Sequence, residues 1–115
     1  MSEDCLFCRI VSAEVPATIV ADNEKAIAFR DITPVAPTHV LVIPRAHHPD
    51  AAAVAAADPD SLVAMVTLAQ EVAASEGVAA DGYRLVANTG PAAHQTVFHA
   101  HLHVLGGRSM GWPPG

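Results

Sequence analysis

Aromatic side chains are scarce in this 115-residue chain, which has three Phe, one Tyr and one Trp. Hydrophobic residues still make up 51% of it, much of that alanine and valine. Such side chains remove less area from water per residue than a Leu- and Phe-rich core. One domain over residues 1–115 is the expectation at this length. Its stability margin is small, so support from a metal, a subunit interface or both is expected. Basic residues are also few. Six Lys and Arg stand against twelve Asp and Glu, a net charge of −6. That excludes a nucleic-acid surface, which needs clustered positive charge, but one small anion can still be held by local donors. No apolar run reaches the roughly 18–20 residues of a membrane span. The start, MSEDCLFC, lacks the positive segment of a signal peptide. A cytoplasmic protein with no membrane partner is expected. Cysteine is limited to Cys5 and Cys8. In a reducing compartment that C-x-x-C spacing reads as metal or redox chemistry before it reads as a disulfide.

The pattern along the chain predicts an α+β fold with an antiparallel sheet, because strands dominate and connections are mostly of hairpin length. A short helix is expected over Cys5–Ala13, ended by Pro16. Ala17–Ala21 and Lys25–Arg30 read as a hairpin around Asp22-Asn23-Glu24. Asp31–Thr38, with Pro34 and Pro37, reads as a loop. The β-branched run His39–Pro44 reads as a central strand. One long helix, capped by Asp60 or Ser61, runs to about Glu76 and stops at Gly77. Its apolar stripe is Leu62, Val63, Val66, Leu68, Ala69 and Val72. Strands over Tyr83–Asn88 and Val97–Leu105 close the list, with a Gly/Pro loop at Thr89–Thr96 between them.

His99, His101 and His103 alternate on that last strand. Period-2 alternation puts them on one face, with Ala100, Leu102 and Val104 on the other. Neighbours in the row are roughly 6.5–7 Å apart at Cα and the outer pair roughly 13 Å. With zinc–nitrogen bonds of about 2.0–2.1 Å, one zinc takes two neighbours but hardly all three. Three chemistries fit the row. It can be a set of satisfied core histidines, costly unless every imidazole finds a partner. It can be an H-x-H site with zinc-activated water. Or it can be an imidazole nucleophile whose neighbours donate to a phosphate.

The run FHAHLHVLGGR resembles the motif of the histidine triad (HIT) family. FRDITPVAPTHVLVIPRAHH, GYRLVANTG, HQTVFHAHLHVLGGR and the terminal GWPPG are similar to the Hint branch of that family, the nucleoside phosphoramidate hydrolases. The resemblance implies a HIT-like fold of about five strands with one long and one short helix, its sheet continued across a homodimer. It implies cleavage of nucleoside 5′-phosphoramidates or related nucleotidyl conjugates, with a purine nucleotide conjugate, adenosine-based, as the substrate. Dinucleoside polyphosphate hydrolysis and nucleotide binding with little turnover are the alternatives. His101 resembles the nucleophile, and His103 a donor to the α-phosphate. Thr96 stands where the branch has a serine near the leaving group, and His39 resembles a further site histidine. Asp31 resembles the ribose acceptor and Asn88 a second phosphate donor, with Gln95 beside it. Phe7, Ile10, Val15, Phe29 and Ile32 resemble the apolar purine slot.

Two departures stand out. The branch's Gly-Gly-Gln-Ser is Ala93-His94-Gln95-Thr96 here, so His94 replaces a glycine near the phosphate. And Cys5-Leu6-Phe7-Cys8 resembles the zinc-bearing HIT proteins of bacteria. That likeness implies a structural Zn2+ on Cys5, Cys8, His47 and His99, with His48 as the substitute for His47. His99 would then complete the triad and serve as a metal ligand.

Overall fold

The computed structural model describes residues 4–115; residues 1–3 of the acidic start lie outside it. The elements, in chain order, are α1 (Leu6–Val11), β1 (Ile19–Asp22), β2 (Ala26–Arg30), β3 (Thr38–Pro44), α2 (Ala51–Ala57), α3 (Pro59–Ser75), β4 (Tyr83–Val86) and β5 (Leu102–Gly106). The five strands form one antiparallel sheet in the order β1-β2-β3-β5-β4. This is the expected α+β architecture, with α2 as an additional helix.

Local chemistry sets the element ends. Cys5 caps α1, its Sγ accepting from the Cys8 N–H at 3.2 Å. Asn23 makes the first hairpin turn: its Oδ1 accepts from the Lys25 and Ala26 N–H groups, while Nδ2 donates to Ala64 O on α3. Asp50 caps α2 through Oδ1 and the Ala53 N–H. Helix α3 starts at Pro59, with Asp58 as its cap, two to three residues before the expected caps Asp60 and Ser61. Proline suits this first position because its missing N–H has no helical partner there. Gly77, at φ +79°, follows the helix end in the left-handed region.

Strand β3 is buried along its whole length because both faces of the sheet are covered there. Ala26, Ala28, Val40, Val42, Leu102 and Val104 pack on one face with Met65, Leu68, Ala69 and Val72 of α3. Ile27, Phe29, Leu41 and Ile43 pack on the other with Phe7 and Ile10 of α1. The buried stripe of α3 runs through Ser61, Met65, Leu68 and Val72. Val63 and Val66 lie off that stripe and are exposed, a correction to the expected one. Helical spacing from Leu68 and Val72 leads back to Met65 and Ser61, not to Val63.

The last strand begins at Leu102, not Val97, so His99 and His101 precede it. Pairing with β3 ends at Val42 with Leu102. Upstream, the chain is held by the Ala100 N–H on His48 O, at 2.7 Å, and by side-chain hydrogen bonds. Likewise β4 stops at Val86, where its pairing with β5 ends opposite His103, and Asn88 lies beyond it. Ala100 still shares the α3-side core with Leu102 and Val104, as the alternation predicts.

Candidate active site and metal centre

A groove of about 690 Å³ opens on the α1 face of the sheet, where β2 and the following loop approach the triad. Phe7, Ile10, Val15 and Phe29 form its apolar wall. Asp31, Ile32, Thr96, His101 and His103 also line it. Ile32 is 95% exposed, so it is a lip of the groove and not part of the core. The groove therefore collects most of the residues assigned to nucleotide binding, and next to them the two histidines assigned to chemistry.

The partners of each ring set its tautomer. His101 Nδ1–H donates to His99 O at 2.8 Å. A neutral imidazole carries one N–H, so His101 Nε2 is left as a free lone pair. The Phe7 ring, edge-to-face at 5.2 Å between centroids, holds the imidazole in place. His103 is set the other way. In β3 His39 lies opposite Leu105, and in β5 His103 lies opposite Leu41, so the two histidines are diagonal neighbours. The Val35 N–H donates to His39 Nδ1 at 3.1 Å, so the proton of His39 is on Nε2. His39 Nε2–H donates to His103 Nδ1 at 2.9 Å, which leaves the His103 proton on Nε2. Burial pushes His39 below its ordinary value, with Asp31 opposing. Burial, then His101 and His39, push His103 down to about 4, again against Asp31. Both rings are neutral at pH 7, so the 3.4 Å approach of His39 Nε2 to Asp31 Oδ2 is not an ion pair.

His99 turns away to a second cluster. Its Nε2–H donates to Pro44 O at 2.9 Å, leaving Nδ1 as a lone pair. That atom lies 3.3 Å from Cys5 Sγ, 3.5 Å from Cys8 Sγ and 3.1 Å from His47 Nδ1. Cys8 Sγ lies 3.4 Å from His47 Nδ1. Tetrahedral zinc with bonds of about 2.0–2.3 Å spaces its donors roughly 3.3–3.8 Å apart. The four residues therefore fit a cation, with Pro44 O orienting a ligand from outside. Burial, with Cys5 beside it, pushes the Cys8 thiol up to about 11. His47 and not His48 completes this set; His48 Nε2 sits 3.9 Å from Asp58 Oδ2.

Asp31, His39 and His103 also bring three ligand-type atoms within 4.8 Å of one another. There the Val35 N–H occupies His39 Nδ1, so Nε2 bears a proton and has no lone pair for a metal. This second cluster is a hydrogen-bond relay.

Two residues assigned to nucleotide binding stay out of the groove. Gln95 is buried, but Oε1 accepts from the Gly90 N–H while Nε2 donates to Pro49 O and Val97 O. Its amide is engaged in folding the loop. Asn88 is half-buried past the end of β4 and does not line the groove. His94 takes φ +66°, a glycine-like conformation, and its side chain is exposed outside the groove. Two backbone groups that sequence reasoning missed, the Val35 N–H and Pro44 O, fix ring tautomers. Neither has a residue-type signal.

The HIT domain family matches residues 12–110. The chain belongs to the HIT family. This HIT protein is 44% identical to the purine nucleoside phosphoramidase of Escherichia coli K12, over 96% of this chain and 93% of that one. It is 45% identical to the 14 kDa zinc-binding protein of Zea mays, over 96% and 87%. A HIT family hydrolase from Legionella pneumophila superposes with a TM-score of 0.92 at 46% identity, covering 97% of this chain and all of that one. No helix among the described residues is long and apolar enough to cross a membrane.

Proposed function

We propose that this HIT protein hydrolyses purine nucleoside 5′-phosphoramidates and related nucleotidyl conjugates through a nucleotidyl-histidine intermediate. The observation that carries the reading is the tautomer of His101. Its Nδ1–H is held by His99 O, so Nε2 presents a lone pair beside an apolar groove of nucleotide size. The named activity of the E. coli relative supports the same class of substrate.

The base, adenine in our reading, lies between Phe7, Ile10 and Phe29, with Ile32 over the lip and the ribose hydroxyls on Asp31. His101 Nε2 attacks the α-phosphorus. The Nε2–P bond forms, the P–N bond breaks, and the amine leaves with a proton taken from solvent, which the water of the next step returns. Water then cleaves the Nε2–P bond and releases the nucleoside monophosphate. His103 Nε2–H faces the developing negative charge as a fixed donor, a preorganised arrangement that needs no reorientation during reaction. Thr96 stands at the leaving-group end. Replacing His101 by Ala is expected to abolish turnover in a panel of adenosine phosphoramidate, acyl-adenylate and diadenosine polyphosphate while leaving AMP binding intact. Undiminished turnover would refute the assignment.

We assign zinc to the Cys5, Cys8, His47 and His99 cluster, as a structural ion joining α1 to the triad segment. Cys2His2 is a closed donor set, and the maize relative is named for zinc binding. We also propose a homodimer joined at a sheet edge. At the edge strand β4, Arg84 donates to Gly111 O at 2.8 Å and tethers the tail that bears the 84% exposed Trp112. In this arrangement the tail reaches the partner's groove. Sedimentation should give twice the chain mass; a monomer at micromolar concentration would overturn it.

A further inference from the structure

The segment after the triad, Leu105-Gly106-Gly107-Arg108, has no part in the chemistry derived so far. Strand β5 ends at Gly106, which pairs with Thr38 at the start of β3. Gly107 then turns the chain at φ +88°, and a Cβ added there would lie 2.9 Å from Pro37 Cβ. That close approach seats the turn directly against the loop between β2 and β3. From it Arg108 reaches back: its Nε donates to Val35 O at 3.1 Å, and its Nη1 donates to Ser109 O at 3.1 Å. Val35 is thereby gripped at both of its backbone polar groups. Its carbonyl is held by the guanidinium and its N–H is spent on His39 Nδ1. The Val35 side chain is 60% exposed and adds little packing of its own.

We propose that Arg108 is a positioning residue that acts through Val35 on the His39–His103 pair, and that the Gly107–Arg108 turn is the clamp that sets whether the His103 nitrogen facing the phosphate carries the proton. The chain of hydrogen bonds is short and each link has one direction. While the Val35 N–H points at His39 Nδ1, that nitrogen is an acceptor, His39 Nε2 is a donor, and His103 must keep its proton on Nε2. If the Val35 peptide swings away, His39 Nδ1 is free to take the ring proton. His39 Nε2 then becomes an acceptor, and His103 has to donate from Nδ1. The His103 nitrogen facing the groove would be a lone pair directed at phosphate oxygens, repelling the charge it otherwise stabilises. An exposed arginine outside the groove thus controls a donor inside it.

The role of the turn in catalysis rests on the phosphoramidase reading, but the tautomer itself is measurable without substrate. The test uses the full chain with 15N-labelled histidine above pH 7, as wild type, Arg108→Ala and Arg108→Lys. Imidazole 15N shifts report which nitrogen carries the proton. Wild type is expected to show a single Nε2–H form at both His39 and His103. Arg108→Ala should show mixed tautomers at both rings, and Arg108→Lys, which can still donate to Val35 O, should restore most of the single form. In turnover, Arg108→Ala should lower kcat by about fivefold with KM little changed, the loss of one exposed charge-assisted hydrogen bond acting on a transition-state donor. Single, unchanged tautomers in Arg108→Ala would overturn the clamp, whatever the hydrolysis panel gives. So would a lowered melting temperature with no tautomer change, the signature of a purely structural arginine.

Discussion

His101 and His103 are the same residue type two positions apart, and the fold sets them in opposite tautomers. A carbonyl two residues back takes the Nδ1 proton of His101, while a neighbouring strand supplies a proton to His103 Nδ1. One ring then offers a lone pair and the other an N–H, the two functions that attack on phosphorus needs. The same burial has a cost in acid. His103 stays neutral in the fold down to about 4, against an ordinary value of 6.5; burial is the main cause, with His101 and His39 adding to it and Asp31 opposing. The unfolded chain takes up this proton first, so the native state is favoured fully above pH 6.5 and progressively less as pH falls toward 4. The denaturation midpoint should therefore fall over that window, and His103→Asn should flatten the fall. An unaltered slope in that variant would refute the assignment. Gln95 makes a separate case. With its amide bonded to Gly90, Pro49 and Val97, Gln95→Ala should cost about 2–3 kcal/mol in urea unfolding, as buried backbone groups lose partners. AMP affinity should hardly change; a loss of affinity without a loss of stability would return Gln95 to the nucleotide site.

At the scale of elements, periodicity reads well where one face is buried and poorly where the chain leaves the ladder. The β-branched run of β3 and the alternation of buried Leu102 and Val104 with half-buried His103 and Leu105 are legible because burial enforces period 2. The beginning of β5 is not. Residues 97–101 read as strand, yet the ladder with β3 stops at Val42 and Leu102 although β3 runs on to Pro44, and this register is a tertiary fact. Helix α2 is missed for a different reason. Its sequence, AAAVAAA, has one large apolar side chain, Val54, and so no stripe to detect. Its signal is the cap. Asp50→Ala removes the Oδ1 acceptor for the Ala53 N–H and should cost about 1 kcal/mol, read as a shifted urea midpoint with unchanged slope. The candidate site divides the same way. Its side chains were visible as types and spacings, whereas the Val35 N–H and Pro44 O, which fix the tautomers, carry no residue identity at all.

Across the whole molecule, the donor cluster draws together parts of the chain that are far apart. Cys5 and Cys8 come from the first helix, His47 from the segment after β3, and His99 from the approach to β5, with 94 positions between Cys5 and His99. Phe7, between the two cysteines, packs edge-to-face against both His99 and His101. A cation here would fasten α1 to the sheet and hold the apolar wall of the groove against His101. The alanine- and valine-rich core makes that fastening consequential, because each buried residue contributes little apolar area. The purified protein should carry one zinc per chain by atomic emission. Stripping it with a chelator, or replacing Cys8 by Ser, should lower the melting temperature on the order of 10 °C, as expected when a tightly held ligand of the native state is lost. Catalysis should fall with it through a higher KM, since Phe7 loses its anchor before His101 loses its bond to His99 O. If the stripped protein kept both its melting temperature and its KM, the cluster would be four unpaired side chains with no part in holding the groove together.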